Sequence, residues 1–316
     1  MSYCFGIDIG GTTVKCGLFT TEGELLEKWE IKTRTEENGK AILPDVAETI
    51  LKKMEEKGIA KTDVIGVGVG VPGPVVKERE VQVAVNLHWG RTMLADVLEE
   101  LLGQIPVKVG NDANVAALGE MWKGGGEGTQ NLIMATLGTG VGGGIVIEGK
   151  LLHGAHGAGA EIGHMVLNRN ETAMCNCGKR GCVEQYCSAT GIVRMAKQEL
   201  EASSDPSALR DAEQLSCKDI FDAGRQGDQL ALKVLDQYYA YMGEFLANVC
   251  AVVNPECVVI GGGVSKAGSV LLDGIKPYFM KYVFHAASNV TFALASLGND
   301  AGAYGAFKLA VDAFAK

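Results

Sequence analysis

Asn111-Asp112, two glycine turns at 10–13 and 138–142, and a histidine followed by three closely spaced cysteines are where residue type and spacing can do chemistry. Transfer of a phosphoryl group to an alcohol needs a carboxylate placed to take the hydroxyl proton, and Asp112 can be that general base. Position alone gives it a second role, because Asp routinely caps helix N-termini and Asn111-Asp112-Ala113 fits a cap equally well. Either role leaves Asn111 free to bond a hydroxyl-bearing substrate.

Glycine turns let backbone N–H groups approach phosphate oxygens closely, and neighbouring threonine hydroxyls add donors. Gly10, Gly11, Thr12 and Thr13 form one such candidate cradle, Gly138 to Gly142, including Thr139 and Gly140, a second; either alone also fits an ordinary hairpin. Asp8 can anchor a hydrated magnesium ion, which takes one or two carboxylates and completes its shell with water and phosphate. Lys15 can reach a phosphate or project into water. Gly68-x-Gly70-x-x-Gly73 and Gly138-x-Gly140-x-x-Gly143 match the spacing of the dinucleotide fingerprint, but neither is expected to open a helix, and a Walker-type Gly-x4-Gly-Lys-Ser/Thr loop is absent.

His164, Cys175, Cys177 and Cys182 supply one imidazole and three thiolates, with Gly178 and Gly181 permitting tight turns, which is the donor set of a closed, structural zinc site. The chain has nine cysteines, and an odd number without a secretion signal fits reduced thiols or metal ligands rather than a disulfide framework. The others, from Cys4 to Cys257, read as small core residues. Glu161 and Glu184 flank the cluster; spacing by itself favours two exposed glutamates over ligands for substrate hydroxyls.

These residues must be held by strands and helices that alternate along the chain. Tyr3 to Ile9 and Val14 to Phe19 predict a hairpin around the first glycine turn, and Leu132 to Thr136 with Gly144 to Ile147 predict another, a weak internal duplication. Apolar residues at helical spacing, Val46, Ile50 and Met54, predict a helix over 41–57 that stops at Gly58. Strands are expected at 64–71, 107–109 and 257–260 and helices at 93–102, 113–121, 230–253 and 271–280, so Asn111-Asp112 falls at a strand-to-helix junction, where open α/β sheets meet ligands. The polar stretch 201–209 is expected to loop over the surface. At 316 residues, 47% hydrophobic and 21% charged, the chain is long enough for two cores. No stretch approaches the roughly 20 apolar residues of a membrane helix, the start does not resemble a signal peptide, and a net charge of -9 disfavours nucleic acid, so we expect a cytoplasmic protein that engages neither membrane nor nucleic acid.

With both glycine turns, Asn111-Asp112, Glu161-Ile-Gly-His164 and the cysteine knuckle in this order, nearly the whole chain resembles the ROK family of kinases and repressors, and within it the bacterial glucokinases, notably over 111–124, 136–144, 161–165 and 175–190. The resemblance implies an actin-like ATPase fold (duplicated ribonuclease H-like, α/β), with a smaller domain of 1–112 plus 301–316, a larger one of 113–300, and a cleft between them. It implies ATP-dependent phosphorylation of a hexose, glucose first, with mannose, fructose, an N-acetylhexosamine or allose as alternatives and a non-catalytic sugar sensor as a further one. Asp112 becomes the base; Gly73, Asn86, Asn111, Asp112, Glu161, His164 and Glu184 contact sugar; Asp8 to Lys15 and Thr136 to Gly142, with Thr139 and Gly140, hold phosphates with Mg²⁺; Gly262 and Gly263 lie against adenosine. His164 then serves zinc through one ring nitrogen and sugar through the other. A homodimer or homotetramer is expected, and the strand beginning by Tyr3 leaves no room for the repressors' DNA-binding segment. His88 stands where close relatives tend to have glycine, Met165 follows the zinc histidine, and Asn86 and Trp89 are retained.

Overall fold

A computed structural model describes residues 2–315. It divides into two compact units, one of residues 1–130, 144–160 and 296–316, the other of 131–143 and 161–295. The boundary expected from the sequence follows Asp112, whereas the helix that follows Asn111 here belongs wholly to the first unit, and one of the crossings between units falls inside a strand, between Gly143 and Gly144.

The first unit runs β1 (Tyr3–Ile9), β2 (Thr13–Thr20), β3 (Leu25–Lys32), a short irregular turn α1 (Glu36–Gly39), α2 (Ile42–Lys57), β4 (Val64–Val71), a small hairpin β5 (Val75–Val76) and β6 (Glu80–Val81), α3 (Leu94–Leu101), β7 (Val107–Asn111) and α4 (Asp112–Lys123). Its sheet has the order β3-β2-β1-β4-β7. The β1–β2 hairpin closes at Ile9 opposite Val14, and β1, β4 and β7 are parallel, which brings their C-terminal ends, Ile9, Val71 and Asn111, to one edge. β4 is Val-Gly alternation buried almost throughout, as expected of a central parallel strand. Helix α2 ends at Gly58 in the left-handed conformation, as its sequence predicts.

The chain continues through β8 (Leu132–Leu137), β9 (Val141–Ile147), β10 (Lys150–Leu151), α5 (Glu184–Cys187), α6 (Ala189–Ala202), α7 (Cys217–Arg225), α8 (Gln229–Val253), β11 (Cys257–Gly261), α9 (Ser269–Tyr282), β12 (Thr291–Leu294) and α10 (Ala301–Phe314). The second sheet is ordered β10-β9-β8-β11-β12, with β8, β11 and β12 parallel. Element for element this repeats β3-β2-β1-β4-β7, so the duplication suggested by two glycine hairpins extends to the topology of both sheets. The second glycine turn is shorter than expected, because Val141 and Gly142 already belong to β9.

Helix α10 returns to the first unit and lies on glycine: a Cβ on Gly68 would sit 1.7 Å from the carbonyl oxygen of Ala306, and one on Gly305 1.7 Å from that of Val115. Both glycines therefore set how closely the helix approaches β4 and α4. Glu120 on α4 is fully buried and accepts hydrogen bonds from the backbone N–H groups of Gly125, Ser296 and Leu297 at 2.8, 3.0 and 2.9 Å, which ties down the segment entering α10. His88 has φ 59° and ψ 27°, the left-handed region, which explains physically why glycine suits that position.

Candidate active site

In the first unit the decisive group is at the β7–α4 junction. Asn111 is the helix cap: its Oδ1 accepts from the N–H groups of Ala113 and Asn114 at 3.0 and 3.2 Å. Its Nδ2 donates to the carbonyl of Gly73 at 3.2 Å and to Oδ1 of Asp112 at 3.0 Å. Asp112 is thus the first residue of α4 rather than its cap, which separates the two roles that position alone left open. Its Oδ1 also takes the Ala113 N–H, at 2.8 Å, and among the described residues no group donates to Oδ2. Burial raises the Asp112 carboxyl above its ordinary value, against the lowering effect of the hydrogen bonds from Ala113 and Asn111.

Asp8, at the end of β1, is half-buried beside the start of α10, where a Cβ on Gly302 would lie 2.4 Å from the Asp8 carboxyl carbon. Burial pushes its carboxyl up to about 6; Lys15 opposes that rise and Asp112 adds to it, which places the two carboxylates within electrostatic reach of each other. The turn after Asp8 is tight, with the Gly10 N–H donating to the Thr13 carbonyl at 3.0 Å. Thr33 braces it by donating its hydroxyl to Gly10 and its N–H to Thr12. Asn86 reaches the same turn, its Cβ 3.5 Å from where a Cβ on Gly11 would stand. Lys15 donates to the carbonyl of Asn299 at 3.1 Å in a solvent-exposed hydrogen bond. Gly73 has φ 96°, and a Cβ there would meet the Val83 carbonyl oxygen at 2.0 Å, so that turn requires glycine.

The second unit carries the other group of candidates. The Thr139 loop is closed by the Gly138 N–H to Gly140 carbonyl bond at 3.0 Å and held to the start of α6: Ala189 N–H donates to Gly138, and the Thr190 hydroxyl donates to the Thr139 carbonyl at 2.7 Å. Ser188 caps α6 by accepting from Gly191, and the helix presents its positive end to this loop. Glu184 lies over the loop, Oε2 accepting from the Val141 N–H at 3.1 Å and Oε1 3.6 Å from the Cys175 sulfur. Sequence spacing favours an exposed glutamate here; instead it is half-buried between knuckle and loop. Glu161 and His164 are exposed on a single turn of 3-10 helix whose Gly163 packs on β9, where a Cβ would come within 2.1 Å of the Val141 carbonyl oxygen. Gly262, at φ 79°, abuts the end of β8, where a Cβ would lie 2.5 Å from the Leu137 carbonyl oxygen, and Gly263 beside it is open.

The four predicted metal ligands converge, their donor atoms all within 4.8 Å of one another. Cys177 and Cys182 sulfurs are 3.6 Å apart, and the Cys175 sulfur is 3.9 Å from His164 Nδ1. Tetrahedral zinc with bonds of about 2.3 Å to sulfur and about 2.0 Å to nitrogen has ligand separations of roughly 3.5–3.8 Å, so the set fits that ion. His164 directs Nδ1 to the cluster, which leaves Nε2 for another partner.

Sequence reasoning misses a cavity of about 1020 Å³ beside Thr139, lined among others by Thr190, Arg194, Lys197, Arg210 and Gln214. Three cations on polar, helical or looped segments carry no motif, so only the fold gathers them; Gly262 and Gly263 are not in its lining.

A model of the ROK family matches residues 4–313. The chain belongs to the ROK family. Among ROK relatives, a glucokinase of Halalkalibacterium halodurans is 45% identical over 95% of this chain and 92% of its own, and a glucokinase of Thermotoga maritima 37% identical over 95% of each. The crystal structure of a ROK family glucokinase from Streptomyces griseus, in complex with glucose and AMPPNP, matches with a TM-score of 0.74 at 35% identity, covering 98% of this chain and 99% of that one. ROK membership confirms the actin-like ATPase fold expected from the motif order.

Proposed function

We propose that this protein is a glucokinase that moves the γ-phosphoryl group of ATP to the 6-hydroxyl of glucose, with Asp112 as general base. The observation that carries the assignment of the base is the division of labour at the β7–α4 junction. Asn111 takes over the helix cap, so Asp112 keeps Oδ2 available in a half-buried setting that raises its affinity for a proton. As the sugar oxygen attacks phosphorus, its proton passes to Oδ2, the new O–P bond forms, and the bond from phosphorus to the β,γ-bridging oxygen breaks to release ADP.

The remaining roles follow the family pattern. Asn86, Asn111, the backbone at Gly73, Glu161, Nε2 of His164 and Glu184 hold sugar hydroxyls. Gly10 to Thr13, Lys15, Thr139 and Gly140 cradle the phosphates, and Gly262 and Gly263 flank adenosine, whose base can extend into the cationic cavity beside Thr139. Asp8 would anchor Mg²⁺, which when bound neutralises charge on the transferring phosphates. His164, Cys175, Cys177 and Cys182 would hold zinc as a structural brace for the turn that presents Glu161 and His164. The same reading carries a homodimer or homotetramer in the cytoplasm. Among the described residues no helix is long and apolar enough to cross a membrane.

The test is ADP release by the purified protein over a panel of glucose, mannose, fructose, N-acetylhexosamines and allose, with ATP or polyphosphate as donor. The expected result is the highest kcat/KM for glucose with ATP. A higher value for another hexose overturns the assignment of the sugar, and tight sugar binding without ADP release for any member overturns the kinase.

A further inference from the structure

Three segments of the first unit that deliver the proposed sugar contacts meet at a carboxylate with no part in the chemistry above. Glu78 lies at the tip of the β5–β6 hairpin, which follows the Gly73 turn. Its backbone is left-handed, φ 53°, as is that of Lys77, φ 54°, within a three-residue connection made without glycine. Strain of this kind persists only where surroundings hold it, and here they do. The Glu78 carbonyl accepts from the Val109 N–H at 2.9 Å, and its carboxylate pairs with Lys108, so side chain and backbone both grip β7 two and three residues before Asn111. The other carboxylate oxygen accepts from His153 Nε2 at 3.2 Å.

His153 opens the loop 152–160 that runs into Glu161. Its carbonyl accepts from the Gly159 N–H at 2.9 Å, closing the loop on itself two residues before Glu161. The loop also rests on the hairpin: Gly157, φ 73°, has no room for a Cβ, which would stand 2.1 Å from the Val75 carbonyl oxygen. Ala160, next to Glu161, is itself left-handed at φ 66°. The exit of this loop is therefore fixed by its contacts with the hairpin and not by local backbone preference. Only about a quarter to a third of each of the three side chains is exposed, with Glu78 at 30%, Lys108 at 27% and His153 at 25%. The hydrogen bond from His153, aided by Lys108 and opposed by burial, holds the Glu78 carboxyl at about 2, so it is a charged acceptor at any working pH.

We infer that Glu78 is a positioning residue for the sugar: through His153 it sets the loop that presents Glu161, and through Lys108 and Val109 it sets the strand that presents Asn111 and Asp112. This rests on the reading of Glu161 and Asn111 as sugar contacts. Neither Glu78 nor His153 touches a reacting group, so their loss acts on substrate placement, where misalignment of an ångström or less is costly.

The experiment compares His153→Ala, His153→Gln, Glu78→Ala and the Glu78→Ala/His153→Ala double variant in the ADP-release assay, with the sugar that the unsubstituted protein turns over best. For His153→Ala we expect the sugar KM to rise about tenfold, with kcat and the KM for ATP within about twofold, because binding of the sugar alone is disturbed. His153→Gln, whose amide can donate to the same oxygen, is expected to recover most of that loss. The double variant should be no worse in sugar KM than Glu78→Ala alone. Unchanged sugar KM in His153→Ala, equal damage in His153→Gln, or a matching rise in the KM for ATP each overturns the inference, and the two histidine variants decide it even if Glu78→Ala does not fold. Failure of the unsubstituted protein to turn over any hexose instead removes the functional reading, and is seen before any variant is compared.

Discussion

Replacing Asp112 by Asn keeps nearly everything about the residue except its ability to take a proton. The amide oxygen can occupy the place of Oδ1 and still accept from the Ala113 N–H and the Asn111 amide, at the 2.8 and 3.0 Å now seen, while the NH₂ group replaces Oδ2. A donor then faces the position where the sugar hydroxyl must lose its proton. Positioned general bases contribute about 10²–10⁴-fold, so kcat is expected to fall by that factor, or about 3–5.5 kcal/mol of barrier. The cap on α4 belongs to Asn111 and is untouched, and the substitution removes a carboxylate whose burial disfavours its charge. The melting temperature near neutral pH is therefore expected not to fall.

The assay is ADP release at saturating ATP and sugar, with sugar affinity followed separately by calorimetry and stability by thermal melting. The sign of the pH dependence follows from the direction of the shift: burial raises the Asp112 carboxyl, so the ionised base is lost as pH falls through that raised value, at a higher pH than an ordinary aspartate. Asp8, pushed to about 6 by burial, titrates in the same limb, and the profile reports the pair. Turnover of Asp112→Asn within about threefold of the unsubstituted protein refutes the base assignment, because no general base contributes so little. A large loss of melting temperature would refute the claim that Asn111 alone caps the helix.

Glu120→Ala removes a fully buried carboxylate that accepts from three part-buried backbone donors and is expected to cost about 3 kcal/mol, seen as a drop of roughly 6 °C or more in Tm; a change under about 1 °C would show that water replaces the carboxylate. His88→Gly relieves a left-handed backbone at an exposed position and is expected to stabilise by about 0.5–1 kcal/mol, measured as a raised Tm; a lowered Tm would mean that the imidazole makes a favourable contact worth more than the strain. The purified protein is expected to carry one zinc per chain by elemental analysis, and Cys177→Ser to lose it together with most sugar affinity. Full zinc content in that variant removes the knuckle assignment.

Motifs that depend on short spacing are legible in the sequence itself. The four candidate metal ligands, the two glycine turns and the strand-to-helix placement of Asn111-Asp112 are local patterns, and the structure brings the four donors together and puts Asn111-Asp112 at the junction that spacing predicts. Helix and strand limits are close where periodicity is strong: the strand expected at 64–71 is β4, and the helix expected at 230–253 starts one residue earlier. Elements without a motif do not announce themselves. β3 alternates half-buried and exposed residues but is crowded with Lys and Glu, and α10 is built from Ala and Gly whose role shows only when Gly68 and Gly305 are seen to admit it.

Glu184 shows why the rest is not readable from sequence. There it is a lone carboxylate two residues after Cys182, and exposure is the economical reading. What fixes it is the return of β9 beneath it, 43 residues earlier in the chain, whose Val141 N–H needs an acceptor, and the absence of a side chain at Gly140, where a Cβ would lie 2.2 Å from its oxygen. Neither fact is local. The glycine that makes the 138–140 turn a candidate phosphate cradle is also the glycine that lets Glu184 bridge loop and knuckle. A substitution at Gly140 is therefore expected to disturb phosphate and sugar sites together, whereas one at Gly138, where a Cβ meets nothing within 4 Å, leaves that bridge intact.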